Sequence, residues 1–425
     1  MKTNKLQHTF RAFRNRNYAL FFAGQSVSQI GTWMQRTAIS WLVYSITHSP
    51  FMLGLTVFAA QFPSFLLSLV GGIVSDRYNR HRILLFTQTA SLLQAFLLAL
   101  AVLTHHYSIG GILTLSVILG VINAFDVPAR QPLVHELVSD KSELPNALAL
   151  NSAMVNLARL VGPALSGIIL QQFGAGICFL LNAISFLAVI SSLLLLRLPP
   201  YRPSSIKKNA VSELSEGFVY LTHTPVIGTI IAMMALMSIF VFPYDTLLPV
   251  FAKTVFRGDA RTFGYIYSFI GLGAISGTFF LASLKTGTDL KIVLLINTII
   301  LGVALIAFSR IFYFPLAMVF AVCCGFGTMS QSTIGITLVQ IHSHAHMRGR
   351  MMSYLVMAFF GMLPVGSLLV GWVSQRIGAQ DTLLGQGIMA LVVIAAFSGF
   401  LRKDMLDKRK KPELEEAEEL MTAKI

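Results

Sequence analysis

Residues 71–82 read GGIVSDRYNRHR, a short charged segment between two long apolar ones. The apolar segment before it spans residues 51–75, and the one after it spans residues 83–104. A helix needs about 20 apolar residues to cross a hydrocarbon core of about 30 Å, and each segment is that long. Because lipid offers no partner to an open strand edge, the pattern predicts two membrane-spanning helices joined by a tight loop.

The same alternation of apolar segments and short polar loops continues along nearly the whole chain of 425 residues. Hydrophobic residues make up 55% of it and charged residues only 12%, whereas soluble proteins carry about 25% charged residues. We therefore predict an all-α membrane protein of twelve transmembrane helices. The predicted spans are 18–45, 51–75, 83–104, 109–127, 146–173, 177–197, 225–251, 262–284, 291–310, 314–340, 350–376 and 383–401.

The net charge of +14 lies in the short loops and is distributed unevenly between the two sides of the predicted membrane. Most lysines and arginines fall on the side of the termini, and only Lys253, Arg257, Arg261, Arg310 and Arg376 fall on the other. This bias predicts a multi-pass protein of the cytoplasmic membrane with both termini in the cytoplasm. No basic stripe interleaved with aromatic residues lies outside the loops, so nucleic-acid binding is not expected.

The two halves of the chain resemble each other. Gly54 opens the second span and Gly264 the eighth, 210 residues apart, while Gly174 and Gly378 close the fifth and eleventh, 204 residues apart. These offsets indicate a duplicated six-helix unit with a central cavity between its copies. The expected domains are a bundle at 1–197, a cytoplasmic linker at 198–216, a second bundle at 217–402 and a tail at 403–425.

The charged segment at 71–82 carries the most specific motif. Gly72, Asp76, Arg77 and Arg80 match the loop signature of the major facilitator superfamily, which the chain resembles along essentially its whole length. This family has glycine at the position of Asn79, and asparagine also tolerates a left-handed turn. The resemblance implies a major facilitator fold of two pseudo-symmetric six-helix bundles. It also implies that Asp76 latches their cytoplasmic ends in the outward-open state, unless the loop is only a positive-inside anchor.

Residues 125–130, FDVPAR, resemble a segment of the bacterial multidrug and siderophore efflux branch that includes the enterobactin exporter. Asp126 and Arg130 share a helix face by their i, i+4 spacing, although Pro128 between them disturbs helices. We expect Arg130 to be the partner of Asp76. A gating role and a purely structural ion pair both remain open.

Residues 158–167, ARLVGPALSG, resemble the signature of proton antiporters. Gly162, Pro163 and Gly167 match it, whereas Ala158 and Ser166 stand in place of glycines. Small residues allow two helices to approach closely, and proline makes a bendable point. Generic close packing is the alternative interpretation of this segment.

Three charged residues lie at membrane depth. Arg159 is about 20 Å inside the fifth span, where a charge costs about 3 kcal/mol, so we expect it to face the cavity or to have a structural partner. Arg36 and Asp245 are 209 residues apart, close to the repeat offset. We expect them to pair across the outer half of the cleft, with protonation of Asp245 favouring outward opening. The alternative is a private partner for each within its own half.

Uncharged polar residues on the same helices are further candidates for substrate contact, each with a helix–helix hydrogen bond as the alternative. They are Gln25, Gln29, Asn156, Tyr244, Asn297 and Gln331. His342 and His346 have i, i+4 spacing, but no carboxylate or cysteine lies close to complete a metal site. We predict neither a metal nor a cofactor.

No phosphate-binding glycine-rich loop is present, so transport must be driven by an ion gradient or by the substrate's own gradient. The expected function is proton-coupled efflux of a small amphipathic molecule, such as a siderophore or drug, by a monomer in contact with membrane lipids. An importer or a lysophospholipid flippase on the same fold is the nearest alternative. An enzyme is not expected, because no catalytic cluster appears at membrane depth.

Overall fold

The computed structural model describes residues 10–138, 140–198, 210–285 and 287–399. These ranges form helices without a strand. The long helices are α1 Arg16–Thr47, α2 Pro50–Arg77, α3 Arg80–Leu103, α4 Ile109–Leu137, α5 Leu144–Phe173, α6 Ala175–Leu194, α7 Pro225–Val255, α8 Ala260–Ala282, α9 Leu290–Arg310, α10 Phe314–His342, α11 Arg348–Ile377 and α12 Ala379–Gly399. Short helices lie at Arg11–Arg14, Lys141–Glu143 and Ala210–His223.

Eleven of these twelve helices, all except α1, are long and apolar enough to cross a membrane. α1 has 32 residues and is long enough, but it carries several polar side chains, including the buried Gln25 and Gln35. It lies against α5 and α6, where such groups can be satisfied by protein rather than lipid. The prediction of an all-α membrane protein is confirmed.

The helix starts follow signals that can be read in the sequence. Asn15, Ser49, Asn79, Ser108 and Asp259 each accept hydrogen bonds from the backbone of the first helical turn. Each cap satisfies N–H groups that have no partner within the helix. Short loops with strong caps therefore place consecutive helices antiparallel.

Two glycines of the repeat have the same conformation. Gly174 joins α5 to α6 with φ +80° and ψ 176°, and Gly378 joins α11 to α12 with φ +90° and ψ 158°. A residue with a Cβ rarely adopts this region of φ. The predicted linker at 198–216 overlaps the helix Ala210–His223, whereas residues 199–209 and the tail at 403–425 lie outside the described residues.

The two halves of the chain meet through α5 against α8 and through α2 against α11. A Cβ on Gly264 would lie 2.9 Å from the Cα of Gly167, and a Cβ on Gly371 would lie 3.1 Å from the Cα of Gly54. The repeat offsets of 210 and 204 relate Gly54 to Gly264 and Gly167 to Gly371. The same glycine contact therefore occurs twice, as expected for a pseudo-two-fold axis.

Both glycine contacts lie at one end of the molecule, called here the outer end after the orientation predicted from the loop charges. The other end, called here the inner end, is open at residues 71–82, called here the motif loop. A Cβ on Gly72 would meet no atom of the described residues within 4 Å, and the Asp76 side chain is 75% exposed. The structure therefore shows a state closed at the outer end.

We predict that Gly264→Leu opens this closure. The new side chain would collide with the Pro163 carbonyl, which lies only 2.7 Å from the position of a Cβ. Overpacking of this kind costs about 1–3 kcal/mol, and separation of α5 from α8 relieves it. Thermal unfolding of the purified protein and labelling of cysteines placed at the outer end measure the two effects.

Gly385→Leu is the matched control, because a Cβ on this helical glycine would meet open space. It should leave both the unfolding midpoint and the labelling unchanged. Equal behaviour of the two variants would contradict the close contact between α5 and α8.

Candidate functional site

The motif loop is held by α4. The Ser75 hydroxyl donates to the carbonyl of Pro128 at 3.0 Å, and Gly71 lies against the backbone of Ala124. α4 continues as one helix through Pro128. Arg77 lines an apolar groove of about 620 Å³, which it shares with α3 and α4.

The expected pairing of Arg130 with Asp76 is wrong in this structure. Arg130 pairs with Asp126, one turn earlier on its own helix, and Asp76 lies 3.5 Å from Arg80. Arg80 also pairs with Glu136, a contact that no pattern in the sequence predicted. The physical reason is that Asp76 lies on the exposed side of α2, whereas Asp126 faces the protein interior.

Asp126 is the centre of a buried hydrogen-bond network. Its carboxylate accepts from the Thr87 hydroxyl at 2.8 Å and from the Gln88 amide at 2.6 Å, in addition to Arg130. The Asp126 side chain is 2% exposed. Hydrogen bonds from three side chains and an opposite charge stabilise a carboxylate in such a place.

A second buried network joins α1, α3 and α6. Asn182 donates to Gln35 at 2.8 Å, and Gln35 donates to Gln94 at 3.1 Å. Because Gln35 precedes Arg36, this chain of amides sets the rotation of α1. The sequence analysis did not single out this network, since amides so far apart in the chain leave no local pattern.

Arg36 and Asp245 come together between the two halves. The Arg36 Nη2 lies 3.6 Å from Asp245 Oδ2, and the Tyr267 hydroxyl donates to the same oxygen at 3.0 Å. α7 is irregular here, with a 3-10 turn at Phe242–Leu247 and a π-helical turn at Phe251–Val255. Pro243 and Pro249 in this region remove backbone donors that a regular helix needs.

Arg159 joins the same cluster through Trp33. The guanidinium carbons of Arg36 and Arg159 lie 5.2 and 5.7 Å from the centre of the Trp33 ring, and the Tyr267 ring lies 6.2 Å from it. Gly162 permits this arrangement, because a Cβ there would lie 2.6 Å from the Cβ of Trp33. The sequence analysis missed Trp33 and Tyr267, although Trp33 is three residues before Arg36 on α1.

The remaining polar candidates do not gather at this cluster by any hydrogen bond among the described residues. Tyr244 is buried and accepts from Thr328 at 3.5 Å, while Asn156 and Asn297 donate to carbonyls of their own helices. Gln331 is fully buried with both amide atoms unpartnered, and Gln25 is buried with its amide nitrogen unpartnered. Gln29 is half-buried.

No group of three histidine, cysteine or acidic side chains suited to a metal occurs in the described ranges. The rings of His344 and His346 stack with their centres 6.0 Å apart, and no third metal-binding side chain joins them in these ranges.

The model of a family described as transmembrane secretion effector matches residues 7–424. The chain belongs to this family. The transmembrane secretion effectors are transporters of the major facilitator superfamily, so the predicted resemblance and the expectation of a transporter rather than an enzyme are confirmed.

Curated relatives of this family member are named as transporters, exporters or efflux pumps. The staphyloferrin A transporter of Staphylococcus aureus is 26% identical, with 90% of this chain and 96% of the relative covered. The enterobactin exporter EntS of Escherichia coli is 27% identical, with 91% of each covered. The multidrug efflux pump Tap of Mycolicibacterium fortuitum is 24% identical, with 88% and 93% covered.

Solved structures show that this transmembrane secretion effector has the major facilitator fold. A bacterial homologue of the lysosomal transporter Spinster, inward-facing and unoccupied, has a TM-score of 0.72 at 13% identity, covering 92% of this chain and 98% of that one. A POT family transporter in complex with 5-aminolevulinic acid has a TM-score of 0.74 at 14% identity, covering 92% and 96%. The predicted fold class is confirmed.

We predict that Asp126→Ala destabilises the protein by about 3 kcal/mol, because it leaves the half-buried Arg130 without its counter-charge. Glu136→Ala on the same helix is the control. It removes an exposed ion pair with Arg80 and should cost at most about 1 kcal/mol. Unfolding of both variants in detergent measures the difference, and equal losses would contradict the structural importance of the Asp126 network.

Proposed function

We propose that this transporter is a secondary active exporter. It couples protons to the efflux of a small amphipathic molecule, such as a siderophore or drug, by alternating access. The observation that carries the proposal is the Arg36 and Asp245 pair, which joins the two halves while the inner end is open. The names of the curated relatives support the choice of cargo and direction.

The first step of the cycle is entry of substrate from the inner end. In this state the Gly264 and Gly371 contacts hold the outer ends together, and His48 Nε2 lies 3.3 Å from Lys253 Nζ across the same boundary. The cluster of Trp33, Arg36, Arg159 and Asp245 is accessible, since the Arg36 side chain is 41% exposed despite its depth in the helix bundle. Substrate can therefore reach the cluster while the outer end is closed.

Asp245 is the proposed proton carrier. Protonation removes its negative charge and with it the Coulomb attraction to Arg36 across the two halves. A partly exposed ion pair contributes about 1 kcal/mol, which changes a two-state equilibrium about fivefold. Protonation at Asp245 therefore favours opening of the outer end, and loss of the proton favours closure.

The motif loop is proposed to act in the opposite state. Asp76 is exposed here and bonds only to Arg80 among the described residues, while Gly72 has open space beside it. Closure of the inner end would bring other helix ends against Gly72, where a side chain would obstruct the approach. Asp76 would then accept hydrogen bonds that the inner end offers only when closed, whereas Asp126 and Arg130 keep their structural pairing.

We expect Asp245→Asn to abolish the pH dependence of efflux and to shift the protein towards outer opening, because the variant cannot regain a negative charge. Cells with and without the protein are loaded with staphyloferrin A or enterobactin, and retention is measured at several external pH values. Cysteine labelling at the outer end reports the conformation. The charge swap Arg36→Asp with Asp245→Arg should restore closure but not normal proton coupling.

Asp381→Asn is the matched control, because Asp381 pairs with Arg310 at 2.6 Å within one half. It should retain normal pH dependence and labelling. The coupling proposal is wrong if Asp245→Asn retains the pH dependence of the wild type. The direction is wrong if cells with the protein accumulate more of the probe than cells without it.

A further inference from the structure

Arg159 is a cation at membrane depth that has no anionic partner among the described residues. No carboxylate of the described residues lies within 4.0 Å of its nitrogens, and its Nε is enclosed without a hydrogen-bond acceptor. Its guanidinium carbon lies 5.7 Å from the centre of the Trp33 ring. A lone charge in this position costs several kcal/mol unless a partner compensates it, so Arg159 is prepared for an anion that arrives from elsewhere.

Arg36 beside it is only partly neutralised. The distance of 3.6 Å to Asp245 is longer than that of a charge-assisted hydrogen bond, and Asp245 is shared with the Tyr267 hydroxyl. Two guanidinium groups therefore lie near one indole ring, and one carboxylate, Asp245, pairs with Arg36. The cluster of Trp33, Arg36, Arg159 and Asp245, called here the cationic cluster, has a net charge of +1 when Asp245 is ionised.

We propose that the cationic cluster binds a carboxylate of the transported molecule, with Arg159 as its primary receptor. This inference rests on the proposed function and adds the substrate class to it. The planar guanidinium presents two N–H groups that match the two oxygens of a carboxylate. The net charge of +1 also repels cations, so the site selects anionic over cationic amphipathic molecules.

The surrounding side chains suit the apolar body of such a molecule. Trp33 and the Tyr267 ring form one wall, with their ring centres 6.2 Å apart. Aromatic rings offer large apolar faces together with a polar edge. Trp33 also holds the two guanidinium groups in place before substrate arrives, which reduces the entropy lost on binding.

A bound carboxylate has a consequence for the outer closure. An anion between Arg159 and Arg36 competes with Asp245 for the Arg36 guanidinium, and the pair of Arg36 with Asp245 is one of the contacts between α1 and α7. Substrate binding from the inner end therefore weakens the same ion pair that protonation weakens. Arg36 therefore takes part both in the proposed binding site and in closure of the outer end.

Benzoate and its neutral isostere benzamide test the inference on the full-length protein in nanodiscs. Equilibrium dialysis of labelled benzoate should show saturable binding at least about tenfold tighter than that of benzamide. Arg159→Gln should weaken benzoate binding about tenfold, and Arg159→Lys by less, because the charge remains while the planar fork is lost. The chain has three tryptophans, so Trp41→Phe with Trp372→Phe leaves Trp33 as the reporter, and its fluorescence should change with benzoate.

Arg376→Gln is the matched control. Arg376 stacks on Trp372 at 5.5 Å, an arginine on an indole in the other half and away from the cluster, and its loss should leave benzoate binding unchanged. Equal affinity for benzoate and benzamide in the wild type would overturn the inference whether or not any variant folds. An Arg159→Gln variant with normal thermal unfolding and normal benzoate binding would overturn it as well.

These measurements need no gradient and no second compartment. Binding that depends on Arg159 therefore stands even if the efflux experiment contradicts proton-coupled export. Conversely, export that depends on Asp245 stands if benzoate does not bind, in which case the substrate class alone is wrong.

Discussion

Backbone contact between glycines is the constraint on which the rest of this structure depends. At Gly167 and Gly264, and again at Gly54 and Gly371, two helices approach so closely that a single Cβ would intrude on the opposite backbone. Lipid provides no hydrophobic drive for helix association, so van der Waals contact at such small residues holds the halves together. This contact determines the distance between α1 and α7, and hence whether Arg36 can reach Asp245.

The charged groups inside the bundle fall into two kinds. The Asp126 carboxylate accepts from Arg130, Thr87 and Gln88, and this buried network holds helices in one arrangement, although Gln88 Oε1 and Arg130 Nε have no partner among the described residues. The cationic cluster is the opposite case, because it contains more positive than negative charge and stays accessible. Polar groups that have hydrogen-bond partners stabilise a structure. An unpaired charge on an accessible surface marks a place where pairing with a ligand contributes binding free energy.

The conformation of the molecule explains why the motif loop looks incomplete. With the outer end closed and the inner end open, a Cβ on Gly72 of α2 would meet no described atom within 4 Å. Under the proposed alternating access, the two closures cannot both be made at once. The exposed Asp76 and the ion-paired Arg36 therefore belong to the same conformational state.

Much of the fold could be predicted from residues 71–82, the spacing of apolar segments and the offsets of paired glycines. These features act locally or through the repeat: a helix of about 20 apolar residues spans a membrane wherever it occurs, and duplicated glycines such as Gly174 and Gly378 meet the same backbone demand twice. The repeat also put Arg36 and Asp245 at matching depths. Depth along a helix is a property of sequence number alone.

The choice of partner was decided only by the tertiary structure. Arg130 pairs with Asp126 rather than Asp76, and Trp33 contacts Arg36 of α1 and Arg159 of α5, which the sequence analysis treated separately. Partner choice depends on how each helix is rotated about its axis and on which end of the bundle is closed. Both follow from contacts between residues far apart in the chain, such as Ser75 with Pro128 and Gly167 with Gly264, which no local pattern records.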